Sequence, residues 1–200
     1  MILQFQPKTF VIALKGHSVS EKQLADCLSS ANKFNWQVET FWGIDGRTIN
    51  EASWIDIGVK PLYHKGSMNK PGTWGCFFSH WNLWHRCVEL NEPLIILEHD
   101  AIIERHWAPF ELSNSLIKLH ENYSIGKLHK WIDQDSGQSS SSTHAYCISP
   151  KHAKKLINFS KDVGAFATDR MLGDKVIPIT HIGSPSLVGR QNSYSTTENL

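Results

Sequence analysis

Apolar positions along the chain fall into short unbroken runs and one long helical stripe. From Trp74 to Leu90, Phe77, Trp81, Trp84 and Val88 recur at i, i+4, i+7 and i+11, which makes one apolar helix face. Cys76, His80, Leu83 and Cys87 repeat that spacing on a neighbouring face, while Ser79, Asn82, Arg86 and Glu89 lie largely away from the stripe. Asn91 and Pro93 end the helix. Leu94-Ile95-Ile96-Leu97 then predicts a buried strand, being apolar and free of interior glycine. It stops in Glu98-His99-Asp100. Side chains alternate along a strand, so Glu98 and Asp100 are expected on one side and His99 on the other.

The same patterns order the rest of the chain. Thr9–Leu14 predicts a first strand, Lys15-Gly16-His17-Ser18 a turn, and Ser20 the cap of a helix through Ala31. Leu24 and Leu28 line that helix's inner face, and Gln23 completes a capping box. Trp36–Phe41 alternates as a second strand before a turn at Gly43–Gly46. Strand, helix and strand on short links predict a parallel unit and an α/β fold. Residues 47–72, punctuated by Gly58, Pro61, Gly66 and Pro71, read as an irregular, flexible wall of a site. Phe110–His120 reads as a surface helix, Lys127–Ile132 as a strand and Asp133–Ser142 as a mobile Ser/Gly-rich loop. Thr143–Ser149 is a further strand, Pro150 opens a helix to Phe159, and Val176–Ile182 is a late strand. Ser193–Leu200 is expected to fray. Without repeats or a visible boundary, 1–200 reads as a single domain.

Composition narrows the class. Two hundred residues suit one sizeable core, and 40% apolar with 20% charged residues describes a globular chain. A formal net charge of +1 without a basic run gives no electrostatic case for nucleic acid. The four cysteines include no C-x-x-C pair, as in a reduced protein with buried thiols. MILQFQPKTFVIALKG is too short an apolar stretch for a secretory signal, and no run reaches the length of a membrane span. A cytoplasmic protein is expected. Eight Trp could offer faces to carbohydrate, though buried aromatics explain most such residues.

The acidic triplet carries the chemistry. Open α/β sheets bind ligands beyond the carboxyl ends of their strands, and hard oxygen ligands there suit a divalent ion holding substrate phosphates. A polar strand end opening a loop is the plainer account. Cys76, His80 and Cys87 on one helix face lack the paired spacing of a structural zinc site. His144 and His181 stand near strand ends, where each could touch diphosphate or metal or simply serve the structure.

Gly75-Cys76-Phe77-Phe78-Ser79-His80, then Leu83-Trp84, then an apolar strand ending in an acidic triplet, resembles glycosyltransferase family 25. That family includes lipooligosaccharide and collagen hydroxylysine galactosyltransferases, and its pattern is Gly-Cys-x-x-Ser-His followed by Leu-Glu-Asp-Asp. His99 replaces the middle acid here. The opening is similar too, with Gly43-Ile44-Asp45-Gly46 for the family's Ala-x-Asp-Gly. Ala13-Leu14-Lys15-Gly16 departs from its Asn-Leu-Asp-Arg. Thr168-Asp169-Arg170 resembles the family's Val-Asp-Arg, and Pro185 to Gln191 its Pro-x-Leu-Val-x-Gln.

The resemblance implies a single-domain, GT-A-like nucleotide-binding fold with a mostly parallel central sheet. It implies inverting transfer of a hexose, often galactose, from a nucleotide-diphosphate sugar such as UDP-galactose. The acceptor would be a hydroxyl on a glycan, glycolipid or lipooligosaccharide, as in lipopolysaccharide biosynthesis. Donor binding is assigned to Leu14, Asp45, Gly75, Ser79, His80, Glu98 and Gln191. Asp100 and Glu98 would be ligands of Mn2+ (or Mg2+), with Glu98 alternatively holding the donor ribose. Asp169 would be the general base; a salt bridge to Arg170 or a helix cap competes for it. His80 equally reads as a buried histidine fixing helix to sheet. A non-catalytic sugar-nucleotide or glycan-binding protein of the same fold is the alternative. A two-metal phosphodiesterase would need more than one acidic cluster.

Overall fold

The structure, a computed structural model, describes residues 2–63, 68–112, 114–120, 142–173, 176–182 and 185–191. The expected strand Lys127–Ile132, the loop before Ser142 and the tail 193–200 lie outside the described residues. Ten strands are described: β1 (Ile2–Leu3), β2 (Lys8–Ala13), β3 (Val38–Trp42), β4 (Leu94–Glu98), β5 (Ala101–Ile103), β6 (Phe110–Glu111), β7 (Leu116–Lys118), β8 (Ala145–Ile148), β9 (Ile179–His181) and β10 (Val188–Arg190). The helices are α1 (Ser18–Lys33), α2 (Glu51–Ile57), α3 (Pro71–Leu90), α4 (Pro150–Asp162) and the single turn α5 (Thr168–Met171).

Six strands form the central sheet in the order β3-β2-β4-β8-β7-β9. The pairs β2–β3, β2–β4 and β7–β9 are parallel, whereas β8 runs antiparallel to β4 and β7. The fold is therefore α/β with a mostly parallel sheet. Leu94-Ile95-Ile96-Leu97 is apolar throughout because both faces of the sheet are covered. Leu94 and Ile96 join a core with α2, α3, α4 and α5, while Ile95 and Leu97 join one with α1, β5 and β10.

Several expectations shift. The first helix begins at Ser18, and the cap is His17, whose Nδ1 accepts the Ser20 amide. Ser20 is buried inside the helix and takes the Leu14 amide on its hydroxyl. Residues 47–72 hold a helix, α2, closed by a reciprocal Asn50–Ser53 capping box and ended by Gly58 in the left-handed region. Phe110–His120 is not a helix: Leu116-Ile117-Lys118-Leu119 is buried on every position and enters the sheet as β7. Local periodicity yields there to pairing with β8 and β9. The late strand shrinks to β9, and the segment before Gln191 supplies an unforeseen strand, β10, which pairs antiparallel with β5.

Helix α3 docks by backbone contact. A Cβ on Gly75 would stand 2.5 Å from the Ile44 carbonyl oxygen and 2.8 Å from the Gly46 nitrogen, so only glycine fits there. Ser79 fastens the same turn: its hydroxyl donates to the Gly75 carbonyl (2.6 Å) and accepts from the Ile44 amide (2.9 Å). Gly75→Ala must push α3 away from the 43–46 turn. It is expected to cost about 1–3 kcal/mol, the range for overpacking a tight contact, as measured by urea unfolding.

Candidate active site

The carboxyl ends of β2, β3 and β4 lie together, with Ala13 opposite Trp42 and Ile12 opposite Glu98. Because β8 is antiparallel, its leading residues, Thr143 and His144, reach the same end; the Glu98 amide donates to the His144 carbonyl at 2.8 Å. Glu98 Oε1 is held by the Thr143 hydroxyl and by His80 Nε2, 3.3 Å away. The Cys76 thiol lies 3.8 Å from that oxygen and 3.7 Å from the Thr168 hydroxyl.

Hydrogen-bond roles favour one His80 tautomer. The Trp84 indole N–H can only donate, so the Tyr146 oxygen accepts from it at 2.9 Å. The Tyr146 O–H is then left for His80 Nδ1, 2.8 Å away. This assigns the imidazole proton to Nε2, facing Glu98. Burial pushes the Glu98 carboxyl up, but the His80 imidazole and Thr143 hydroxyl outweigh it and hold the group well below the usual carboxylate range. Burial and the Glu98 charge push the Cys76 thiol well up. Donor atoms of Cys76, His80 and Glu98 lie within 4.8 Å of one another, a set able to hold an ion. An ion there would have to displace the His80 Nε2 proton from Glu98. Cys87 is elsewhere, directed at the Glu92 and Ile148 carbonyls.

The acidic triplet does not alternate as a strand would. His99 and Asp100 form a turn between β4 and β5, and the turn hands the two carboxylates to different layers. Glu98 faces α3, whereas Asp100 pairs with Arg190 of β10, Nε to Oδ2 at 2.6 Å. Asp100 is also buried, 6% exposed. Its Oδ1 is buried without a hydrogen-bond partner among the described residues. Burial and the nearby Glu98 charge push the Asp100 carboxyl up against the opposing pull of Arg190. Gln191 pins the turn: its amide donates to the Asp100 carbonyl (2.8 Å) and its side chain to the Gln23 carbonyl of α1 (3.0 Å).

Asp169, half-buried on α5, lies within electrostatic reach of Cys76, Glu98 and Lys118. It makes no ion pair with Arg170 within 4.0 Å among the described residues, and α5 has no side-chain cap. Burial pushes the Asp169 carboxyl up; Arg170 opposes this most and the Glu98 charge adds to it. The other expected donor contacts are engaged in local structure. Asp45 caps a 3₁₀ turn, Gly46–Thr48, and pairs with Arg47, while Leu14 offers its amide to Ser20. Gly75 and Ser79 dock α3. His181 lies against His120, and its Nδ1 is 3.4 Å from the His120 carbonyl. Burial, with His120 beside it, pulls His144 down to about 3.

The sequence reading missed Thr143, Tyr146, Lys118 and Arg190. Lys118 had a signal: a lysine inside an apolar run must be paired, buried at a cost or functional. Burial pulls it down to about 7, against the Glu98 and Asp169 charges.

Residues 6–138 match the family described as "Glycosyltransferase family 25 (LPS biosynthesis protein)". Curated relatives named "Glycosyltransferase 25 family member" align in part. One from Aedes aegypti is 39% identical over 77 residues, covering 35% of this chain and 12% of that protein. Another, from Anopheles gambiae, is 36% identical over 74 residues, covering 34% and 12%. The matched segments thus span about an eighth of those relatives' length. The solved apo-form glycosyltransferase GlyE of Streptococcus pneumoniae TIGR4 aligns with 88% of this chain and 45% of its own, at 12% identity and a TM-score of 0.44.

Tyr146→Phe tests the network. It leaves the buried Trp84 N–H without its acceptor and frees His80 Nδ1. A loss of about 1–3 kcal/mol in denaturant unfolding is expected, the cost of one orphaned buried donor. Imidazole 15N shifts should show His80 no longer locked in one tautomer.

Proposed function

Since the chain belongs to glycosyltransferase family 25, we propose that it transfers a hexose, galactose first among candidates, from a nucleotide-diphosphate donor to a glycan or glycolipid hydroxyl, with inversion. The observation that carries this reading is the convergence at the carboxyl end of β4. Two differently held carboxylates sit there, with a half-buried third, Asp169, in electrostatic reach and unpaired by Arg170.

The donor diphosphate is placed at the end of the parallel strands, beside the His99–Asp100 turn. Asp100, through its unpartnered Oδ1, would hold a manganese or magnesium ion, with Glu98, in electrostatic reach across the turn, as the second ligand, and hard oxygen donors fit either. Bound there, the ion would supply charge neutralisation for the departing diphosphate. His80 and Thr143 keep Glu98 ionised and oriented, so the carboxylate need not reorganise when the donor arrives. Asp169 takes the acceptor hydroxyl's proton as the oxygen attacks the anomeric carbon from the face opposite the diphosphate. The upward push on its carboxyl suits this role, since a base tuned towards the working pH accepts a proton more readily. Among the described residues no helix is long and apolar enough to cross a membrane, so a lipid-linked acceptor would be met at a surface.

Asp169→Asn tests the assignment. The expected protein folds, holds its donor with little change and loses about a hundred-fold or more in kcat, as for removal of a positioned base. Normal turnover would rule Asp169 out as the base, and simple unfolding would make it structural. The pH profile gives a second check. Asp169 works only when ionised, and its raised value moves the loss upward. The acid limb of kcat/KM should therefore fall at a pH above the ordinary aspartate value of about 3.9. An acid limb at or below that value would contradict the assignment.

A further inference from the structure

Lys118 is completely buried on β7, and among the described residues no carboxylate lies within 4.0 Å of it. A buried, unpaired ammonium is costly, so its surroundings should show what it does. In the sheet, Ile96 is opposite Tyr146 and Tyr146 is opposite Lys118, which puts all three in one row. Its Nζ donates to the Ser142 carbonyl at 2.6 Å and stands 5.2 Å from the centre of the Tyr146 ring.

Both contacts lead to Glu98. Ser142 precedes Thr143, whose hydroxyl holds Glu98 Oε1. The Tyr146 hydroxyl holds His80, which meets the same oxygen. We propose that Lys118 is the positioning residue for Glu98, one ammonium steadying both arms that grip the carboxylate. The Ser142–His144 segment precedes β8, which begins at Ala145. Lys118 ties its carbonyl down, and the Glu98 amide closes the loop on the His144 carbonyl. The ligand-binding consequence rests on the sugar-nucleotide reading above; the clamp itself does not.

Lys118→Met keeps an unbranched stem of similar volume and removes the ammonium. Three readouts separate positioning from bulk stability: melting temperature, hydrogen exchange at the Glu98 amide, and UDP-galactose affinity in manganese. The clamp predicts a folded variant with faster Glu98 exchange. Donor affinity should drop by about ten- to a hundred-fold, the usual effect of disturbing a group that orients a ligand. Thr143→Val removes one of the two arms and should weaken binding to no greater degree, and the double variant should be little worse than Lys118→Met alone, because the lysine already steadies the Thr143 arm. Unchanged Glu98 exchange in Lys118→Met, or fully additive losses in the double variant, would overturn the proposal. Should Lys118→Met not fold, Thr143→Val decides alone, and unaltered donor binding there would overturn it. The exchange readout needs no donor. A wild-type protein that binds no sugar nucleotide would therefore sink the functional reading and leave the clamp to be judged by the Glu98 amide.

Discussion

An ionised, half-buried carboxylate at the end of β4, Glu98, constrains everything around it. Taking a carboxylate from water costs several kcal/mol unless charge or hydrogen bonds replace the lost hydration. Glu98 receives His80 from α3 and Thr143 from the segment before β8, and His80 is itself held by Tyr146, which Trp84 bonds in turn. A second carboxylate, Asp100, follows two residues later and would repel the first. The turn at His99–Asp100 delivers it to another layer, where Arg190 compensates it. Two acids of one short segment thus coexist because separate parts of the fold hold each of them.

That arrangement needs α3 at a fixed height above the sheet. Gly75 and Gly46 let two backbones touch, and Ser79 bonds the 43–46 turn to the helix. The adjacent residues Cys76 and His80 are thereby presented to Glu98. The aromatic side chains serve the same end. Trp54, Phe77, Phe78 and Trp81 form contiguous stacked and edge contacts between α2 and α3, so much of the tryptophan content is core and not a sugar platform.

Much of this was legible in the chain. The i, i+4, i+7 stripe located α3, the unbroken Leu94–Leu97 run located a strand covered on both faces, and the strand–helix–strand opening located the parallel pairing. Elements settled by distant partners were not legible. β7 reads locally as helix and becomes a strand only because β8 and β9 flank it. β10 exists because β5 leaves the central sheet and needs an edge. At the site, Glu98 could be singled out from its place at a strand end. Its grip by Thr143, and by His80 that Tyr146 holds, depends on β8 running antiparallel, which no periodicity in the chain announces. The split between Glu98 and Asp100 was hidden for a related reason: alternation predicts facing only while the strand continues.

The carboxylate-lined strand end is proposed to break the bond between a sugar and a nucleoside diphosphate. The direct measurement is release of nucleoside diphosphate from a panel of sugar nucleotides in manganese, with water or glycan hydroxyls as acceptor. The account predicts release from at least one donor, UDP-galactose first, and loss of that release when Asp100 is replaced by asparagine in a protein that still folds. Tight, saturable binding of a donor with no release under any acceptor would contradict it and describe a protein that captures sugar nucleotides without turning them over.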